Sequence, residues 1–185
     1  MSPSVSSLLL LQLLSLVLMV VAMPTCQLQG DLVQTANNLL RDLGGPFPVR
    51  CLQHNAAVSF PDSAFPPAGS AQPQCRQALW VVYKTLQGAE KLFENYELPE
   101  NETSWDSKKL DDFQNLLYRL VEEGSCFSRV NSSEVLSSYF SSLSAVLQQE
   151  GSSGCGWLLL RRDLLFALQF GLQHHRQCFS WSLAA

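Results

Sequence analysis

Charged residues and histidines are scarce in this sequence. Of its 185 residues, 15% are charged, three are histidines, and the formal net charge is −4. The basic residues form no run, which argues against nucleic acid or an anionic lipid surface as the main partner, because clustered Lys and Arg hold such partners. The sequence also lacks a glycine-rich loop of the kind that cradles phosphate groups.

Residues suited to catalysis or metal binding form no recognisable constellation. None of the histidines (His54, His174 and His175) belongs to a serine, histidine and acid motif of the hydrolase type. The spacing of His174, His175 and Cys178 matches no common zinc pattern. We therefore expect no enzyme activity, no cofactor and no metal site.

The first long feature of the chain is an apolar run typical of a secretory leader. It covers residues 8–22, about the length of a signal-peptide core and short of the roughly 20 residues that a membrane helix needs. Val20 and Ala22 suit a cleavage site, so we expect a signal peptide over 1–22 and a mature domain over 23–185. A membrane anchor is the alternative, but no second long apolar run follows, so we expect no membrane insertion of the mature part.

Cysteines and glycosylation sequons fit the same extracellular location. An even number of cysteines behind a leader favours disulfides, although six cysteines allow fifteen pairings and their spacing alone does not choose among them. Sequons begin at Asn101 and Asn131, each between two helical patterns. The sequence therefore predicts a secreted, disulfide-bonded glycoprotein. The cysteines are Cys26, Cys51, Cys75, Cys126, Cys155 and Cys178.

Apolar residues recur at helical spacing in five segments of the mature chain. Gly44 and Gly45, followed by Pro46, end the first segment. The pattern therefore predicts an all-α domain with very little strand. The predicted helices cover about 28–43, 74–94, 106–123, 131–150 and 155–177.

A proline-rich connection of nearly 30 residues separates the first two predicted helices. It covers residues 44–73 and contains six prolines, which exclude a regular helix. A loop this long can carry the chain the full length of a bundle, so two successive helices can run parallel. This is the up-up-down-down arrangement of cytokine bundles, with an ordered overhand loop.

The last predicted helix has two apolar faces. Such a helix either lies buried between neighbours or binds a partner, and the sequence leaves both open. The expected core stripe contains Trp157, Leu160, Leu164, Leu168 and Gly171, while Leu159, Phe166 and Phe170 lie nearly opposite.

Two motifs resemble those of type I interferons. Cys155-Gly156-Trp157, followed by Arg161 and Asp163, resembles the Cys-Ala-Trp and Arg-x-Glu signature that opens the last long helix of that family. Cys51-Leu52, followed by Phe60-Pro61, is similar to the loop of mammalian alpha interferons. The mature chain resembles the fish type I interferons that have two disulfides, notably over residues 44–48, 74–80 and 136–140.

The resemblance implies a five-helix cytokine with antiviral function. Such a protein binds a two-chain class II cytokine receptor and triggers JAK–STAT signalling, which induces antiviral genes; we expect a monomer. The alternatives are another helical cytokine, of the lambda type or like interleukin ten, and a secreted helical lipid carrier.

The resemblance also implies a receptor-binding surface on the loop and the last helix. Arg161 would make bidentate contacts with a receptor carboxylate, with a solvated helix charge as the alternative. Arg161→Ala would then weaken signalling without unfolding the protein. Asn55 and Phe166 stand where the family pattern has basic residues. The implied receptor-binding residues are Leu52, Asn55, Arg161, Arg162, Leu165 and Phe166.

Two disulfides are implied by the resemblance, and a third follows from the cysteines that remain. The family bridges correspond to Cys26–Cys126 and Cys51–Cys155. The remaining pair, Cys75–Cys178, lies at the start of the second helix and the end of the last, which share one pole of an up-up-down-down bundle.

Overall fold

Five α-helices form most of the described chain in a computed structural model of the protein. The structure describes residues 26–54, 58–69, 71–99, 103–129, 134–149 and 153–182. The helices are α1 (Gly30–Asp42), α2 (Gln72–Asn95), α3 (Ser107–Glu123), α4 (Glu134–Gln148) and α5 (Ser153–His174). Short 3-10 turns cover Val49–His54, Asp62–Ala64, Gly124–Arg129 and Arg176–Cys178.

Some of the predicted features fall outside the described residues. These are the signal peptide over 1–22, Asn55 of the loop, and the sequon residues Asn101 and Asn131. Within the part that is described, no helix has both the length and the apolar character required to cross a membrane.

The five predicted helices are present, with bounds that differ by a few residues. α2 begins at Gln72 instead of residue 74, because Pro73 lies in the first turn, where its missing N–H removes no helical hydrogen bond. α5 ends at His174 instead of residue 177, because His175 leaves the helical conformation before the turn at Arg176–Cys178.

Contacts at the two ends of α5 define the direction of α1 and α2. The N-terminal end of α5 lies at the C-terminal end of α2, since the Trp157 indole donates to the Glu97 carbonyl at 3.3 Å. The chain after α5 returns to the start of α1, where the Gly30 amide donates to the Ser180 carbonyl at 2.7 Å. Both α1 and α2 are therefore antiparallel to α5 and parallel to each other.

The remaining helices complete an up-up-down-down cytokine bundle. α3 is antiparallel to α1, because the Asp106 amide before α3 donates to the Leu43 carbonyl after α1 at 3.2 Å. α4 packs against α5 and is the fifth helix. It is antiparallel to α5, because Gln148 at its end donates to the Tyr96 hydroxyl after α2, near the start of α5. The four-helix arrangement thus consists of α1 and α2 in one direction and α3 and α5 in the other.

The last helix, α5, lies at the centre of the bundle. It packs against α1, α2, α4 and the turn at Val49–His54. Trp157 is fully buried and its ring stacks on Phe93, with centroids 4.7 Å apart. Leu159, on the second apolar face, is buried as well, whereas Phe166 keeps 40% of its surface exposed. Neighbouring elements therefore cover most of both apolar faces, and one aromatic ring remains at the surface.

Three disulfides connect segments that are distant along the chain. The structure has Cys26–Cys126, Cys51–Cys155 and Cys75–Cys178, with sequence separations of 100, 104 and 103 residues. Because Cys178 is bonded to Cys75, no thiolate remains at that position for the histidine and cysteine metal cluster considered from the sequence.

A buried histidine lies beside the Cys75–Cys178 bridge. The imidazole of His175 is fully buried and stacks on Phe65 with centroids 6.0 Å apart, and Phe170 lies close to it. Neither of its ring nitrogens has a hydrogen-bond partner among the described residues. Burial, with a smaller effect of the neighbouring His174, lowers the pKa of His175.

We expect the Cys75–Cys178 bridge to stabilise the fold. Replacing both cysteines by serine should lower the free energy of unfolding by about 2–4 kcal/mol, since the bridge restricts a long loop in the unfolded chain. Urea unfolding of wild type and double variant measures the change, and peptide mass mapping of the wild type verifies the bridge. Free thiols at both positions, or equal midpoints, would contradict the role.

We also expect stability to fall in mild acid because of His175. The unfolded chain binds a proton at this residue below about pH 6.5, while the buried ring binds it only at lower pH. The free energy of unfolding should therefore decrease from about pH 7.5 to about pH 5, and less so in His175→Phe. Urea midpoints across this range test it, with His54→Gln as the control histidine. An identical pH slope in wild type and His175→Phe would refute it.

Candidate functional site

The predicted receptor-binding residues that the structure describes lie around one junction in the bundle. The end of α1, the turn at Val49–His54 and the first half of α5 meet there, and the Cys51–Cys155 bridge attaches the turn to α5. Cys51 is fully buried beside Leu158, Phe47 and Trp105. The next residue, Leu52, is 49% exposed. The turn therefore presents an apolar side chain from a covalently fixed base.

Arg161 lies inside this junction and not on its surface. Only 9% of the residue is exposed. Its guanidinium donates to the carbonyls of Leu40 and Arg41 in the last turn of α1, at 2.7 and 2.9 Å. It also donates to the carbonyls of Gly44 and Gly45 beyond that helix, at 2.7 and 2.9 Å. All three of its nitrogen atoms are thus engaged.

These four hydrogen bonds give Arg161 a structural role, whereas the sequence predicted a receptor contact. The last carbonyls of a helix have no partner within the helix, and a cation near them is favoured by the helix dipole. Burial lowers the pKa of Arg161, but a guanidinium remains charged. The expectation of a bidentate receptor contact is corrected here, because a receptor carboxylate would have to displace these carbonyls.

Arg162 lies at the edge of the junction and is partly accessible. Its guanidinium sits over the Phe47 ring, 5.1 Å from the ring centroid, and its Nε pairs with the Asp163 carboxylate at 2.7 Å. The cation and ring are thereby held together against the loop. Arg162 is the basic side chain among the predicted residues that reaches solvent at this surface.

Asp163 connects this edge to α4. The carboxylate is buried and accepts a hydrogen bond from the Tyr139 hydroxyl at 2.9 Å. Burial raises the pKa of Asp163, while the bonds from Arg162 and Tyr139 act in the opposite direction. The pKa of Tyr139 lies well above its usual value because the ring is buried beside this carboxylate. The helical pattern over residues 131–150 does not reveal this polar link.

Leu165 and Phe166 point to different neighbours, although they are adjacent in sequence. Leu165 is half-buried in a cleft with Asn37 and Arg41 of α1. Phe166 lies beside the loop, with its ring centroid 5.8 Å from that of Phe60. The structure therefore brings Arg162 and Phe166 together on the loop side of α5 and places Leu165 on the α1 side.

We name the accessible part of this junction the loop–α5 surface. It consists of residues from the turn at Val49–His54 and from α5. Its apolar members are fixed by packing and by a disulfide, and its cation is held by an aromatic ring and a buried carboxylate. Such a rigid, partly apolar patch with an arginine is suited to protein binding. The members are Leu52, Arg162, Leu165 and Phe166.

Comparisons with known proteins give the family of the chain. The interferon alpha/beta domain matches residues 26–177. Interferon a3 of Oncorhynchus mykiss is 32% identical over 143 residues, 76% of this chain and 77% of the relative. Interferon alpha-B of Bos taurus is 28% identical over 141 residues, 70% of this chain and 71% of the relative. The solved structure of zebrafish interferon 2 is 32% identical, with a TM-score of 0.64 over 80% of this chain and 99% of that one.

The fold defines the class of protein, and the comparisons define its family. An up-up-down-down bundle with a long overhand loop is a helical cytokine. The chain belongs to the interferon alpha/beta family and is homologous to fish interferons. Members of this family are cytokines and not enzymes. The structure also has a third bridge, Cys75–Cys178, beyond the two that the resemblance implied.

We expect Arg161→Ala to destabilise the protein, in contrast to the outcome expected from the sequence. The variant removes four hydrogen bonds from a charged donor, so the free energy of unfolding should fall by about 2–4 kcal/mol. Arg161→Lys should recover only part of the loss, because one ammonium cannot reproduce the planar fork. Urea unfolding gives both values.

An arginine on α3 supplies the control for this measurement. Arg119→Ala removes a side chain of equal length and charge from an exposed pair with Glu123, so its cost should be clearly smaller. An Arg161→Ala variant as stable as wild type would contradict the structural role.

Proposed function

We propose that the chain is a secreted antiviral type I interferon, in the group of fish interferons with two family disulfides. It binds a two-chain class II cytokine receptor and triggers JAK–STAT signalling, which induces antiviral genes. Membership of the interferon alpha/beta family over residues 26–177 is the observation that carries this proposal. The Cys26–Cys126 and Cys51–Cys155 bridges correspond to the family pair, and Cys75–Cys178 is an addition.

The loop–α5 surface binds the first receptor chain in this proposal. Leu52 and Phe166 provide exposed apolar area, and Arg162 provides a cation beside them. Anchors of this kind dominate interface energies when the scaffold holds them in place. Asn55, which follows the turn in sequence, belongs to the same proposed surface. Arg161 acts from behind it, by fixing the end of α1 and the start of the loop.

The second receptor chain meets α2, α3 and α4 in this proposal. Tyr118 on α3 is 61% exposed and offers a large side chain to a partner. Signalling then needs only binding, because one cytokine brings two receptor chains together. A monomer with two different surfaces is sufficient for this function.

Secretion and modification complete the proposal. A signal peptide over residues 1–22 directs the chain to an oxidising compartment, where three disulfides persist. Glycans on Asn101 and Asn131 would then be added during secretion.

A cell-protection experiment tests the overall proposal. Purified mature protein should protect cells of the source species against viral infection, and an excess of soluble receptor ectodomain should abolish the protection. Failure to protect cells that respond to a related interferon would contradict the proposed function.

Substitutions on the loop–α5 surface should weaken binding to one receptor chain. Leu52→Ala and Phe166→Ala each remove an exposed apolar anchor, and a loss of about tenfold or more in affinity corresponds to roughly 1.4 kcal/mol or more. The two receptor ectodomains are immobilised separately and each variant is titrated over both.

Tyr118→Ala is the matched control for these two variants. It removes a still more exposed aromatic side chain from α3, so it should leave affinity for the first chain unchanged. Thermal midpoints of the three variants should stay close to that of wild type. Unchanged affinity of Leu52→Ala and Phe166→Ala for both ectodomains would place the receptor surface elsewhere.

A further inference from the structure

A groove between α2 and α4 has the size of a small-molecule site. Its volume is about 520 Å³, within the range of about 300–1,000 Å³ that is usual for ligand pockets. None of its lining residues belongs to the loop–α5 surface. The lining consists of Trp80, Lys84, Gln87, Gly88, Lys91, Leu92, Asn95 and Tyr96 from α2 and the residue after it, and of Leu136, Ser137, Phe140, Ser141 and Ser144 from α4.

The walls of the groove are held by two contacts between the helices. The Phe140 ring lies directly on Gly88, where an added Cβ would come within 2.2 Å of its Cζ atom. Near the end of both helices, the Gln148 amide donates to the Tyr96 hydroxyl at 2.7 Å. These two contacts hold the walls at a fixed separation, so the groove is part of the folded structure.

One wall of the groove carries two cations. Lys84 and Lys91 are two helical turns apart on α2, about 10.5 Å along the axis, and both line the groove. Among the described lining residues there is no carboxylate. Glu90, next to Lys91, is not part of the lining. The positive charge on this wall is therefore not matched by an acid within the groove.

Of the two lysines, Lys84 is better placed to bind an anion. It is partly buried, and its Nζ donates to the neutral Gln87 side chain at 2.9 Å. Gln87 donates in turn to the Tyr83 hydroxyl at 2.9 Å, which orients the amide. Burial, with a smaller effect of Lys91, lowers the pKa of Lys84. A bound anion would favour the charged form of this amine.

The rest of the lining is both apolar and polar. Phe140 and Tyr96 provide aromatic surface, whereas Trp80, Leu92 and Leu136 are almost fully buried. Serines on the α4 side, with Gln87 and Asn95 on the α2 side, provide polar groups. The Trp80 indole N–H has no acceptor among the described residues. A cation at a partly apolar wall matches an amphiphilic anion, in which one charged group is joined to an apolar body.

We propose that the α2–α4 groove binds a small amphiphilic anion, an alkyl or aryl carboxylate or sulfate, whose charged group pairs with the Lys84 ammonium. The apolar body lies against Phe140 and its neighbours. Lys91 adds a second cation for longer or doubly charged ligands. This site is separate from the proposed receptor surface on the loop and α5.

Isothermal titration calorimetry with dodecanoate tests the proposal, with the neutral dodecanol as the paired probe. Dodecanoate should bind with one molecule per chain, and dodecanol at least tenfold more weakly. Lys84→Gln should weaken dodecanoate binding at least tenfold. Lys108→Gln, which removes an exposed lysine on α3, should change it less than twofold.

A second variant separates loss of charge from loss of space. Ser141→Phe places a large side chain on the exposed α4 wall, so it should block binding without altering any charge. Circular dichroism verifies that each variant is folded. The proposal is overturned if wild type does not bind dodecanoate, if several equivalents bind, if dodecanol binds equally well, or if Lys84→Gln and Ser141→Phe bind as wild type does.

Discussion

The attachment of the Arg161 guanidinium to the end of α1 is the interaction on which the rest of the loop–α5 surface depends. The long crossover begins at Gly44 and Gly45, and their carbonyls are held together with those of the last turn of α1. One side chain therefore fixes where the helix ends and where the loop starts. The Cys51–Cys155 bridge then fixes the loop a second time, at Cys51.

Other buried polar groups also connect neighbouring helices. Tyr139 of α4 donates to Asp163, whose carboxylate also holds Arg162 at the surface. Arg161 faces the interior and Arg162 faces the loop, although both are basic and adjacent in sequence. Neighbouring residues on the central helix thus have different functions, because each points to a different element.

The fold could be predicted from the sequence, whereas the burial and hydrogen bonds of Arg161 could not. Helical periodicity and the proline-rich crossover were sufficient for five helices in an up-up-down-down bundle. The two expectations for Arg161 were a receptor contact and a solvated helix charge, because charged residues are rarely buried. Its burial depends on carbonyls more than one hundred residues away. The burial of His175 likewise depends on Phe65 from the crossover. The helical pattern of α5 cannot predict this contact.

The three disulfides also determine how the chain responds to proteolytic cleavage. Their spans overlap in succession, from Cys26–Cys126 through Cys51–Cys155 to Cys75–Cys178. Every peptide bond between Cys26 and Cys178 lies inside at least one of these spans. A single cut by an extracellular protease, even within the crossover, therefore releases no fragment from this region. The two pieces stay covalently joined, so a nicked molecule keeps its parts at high effective concentration.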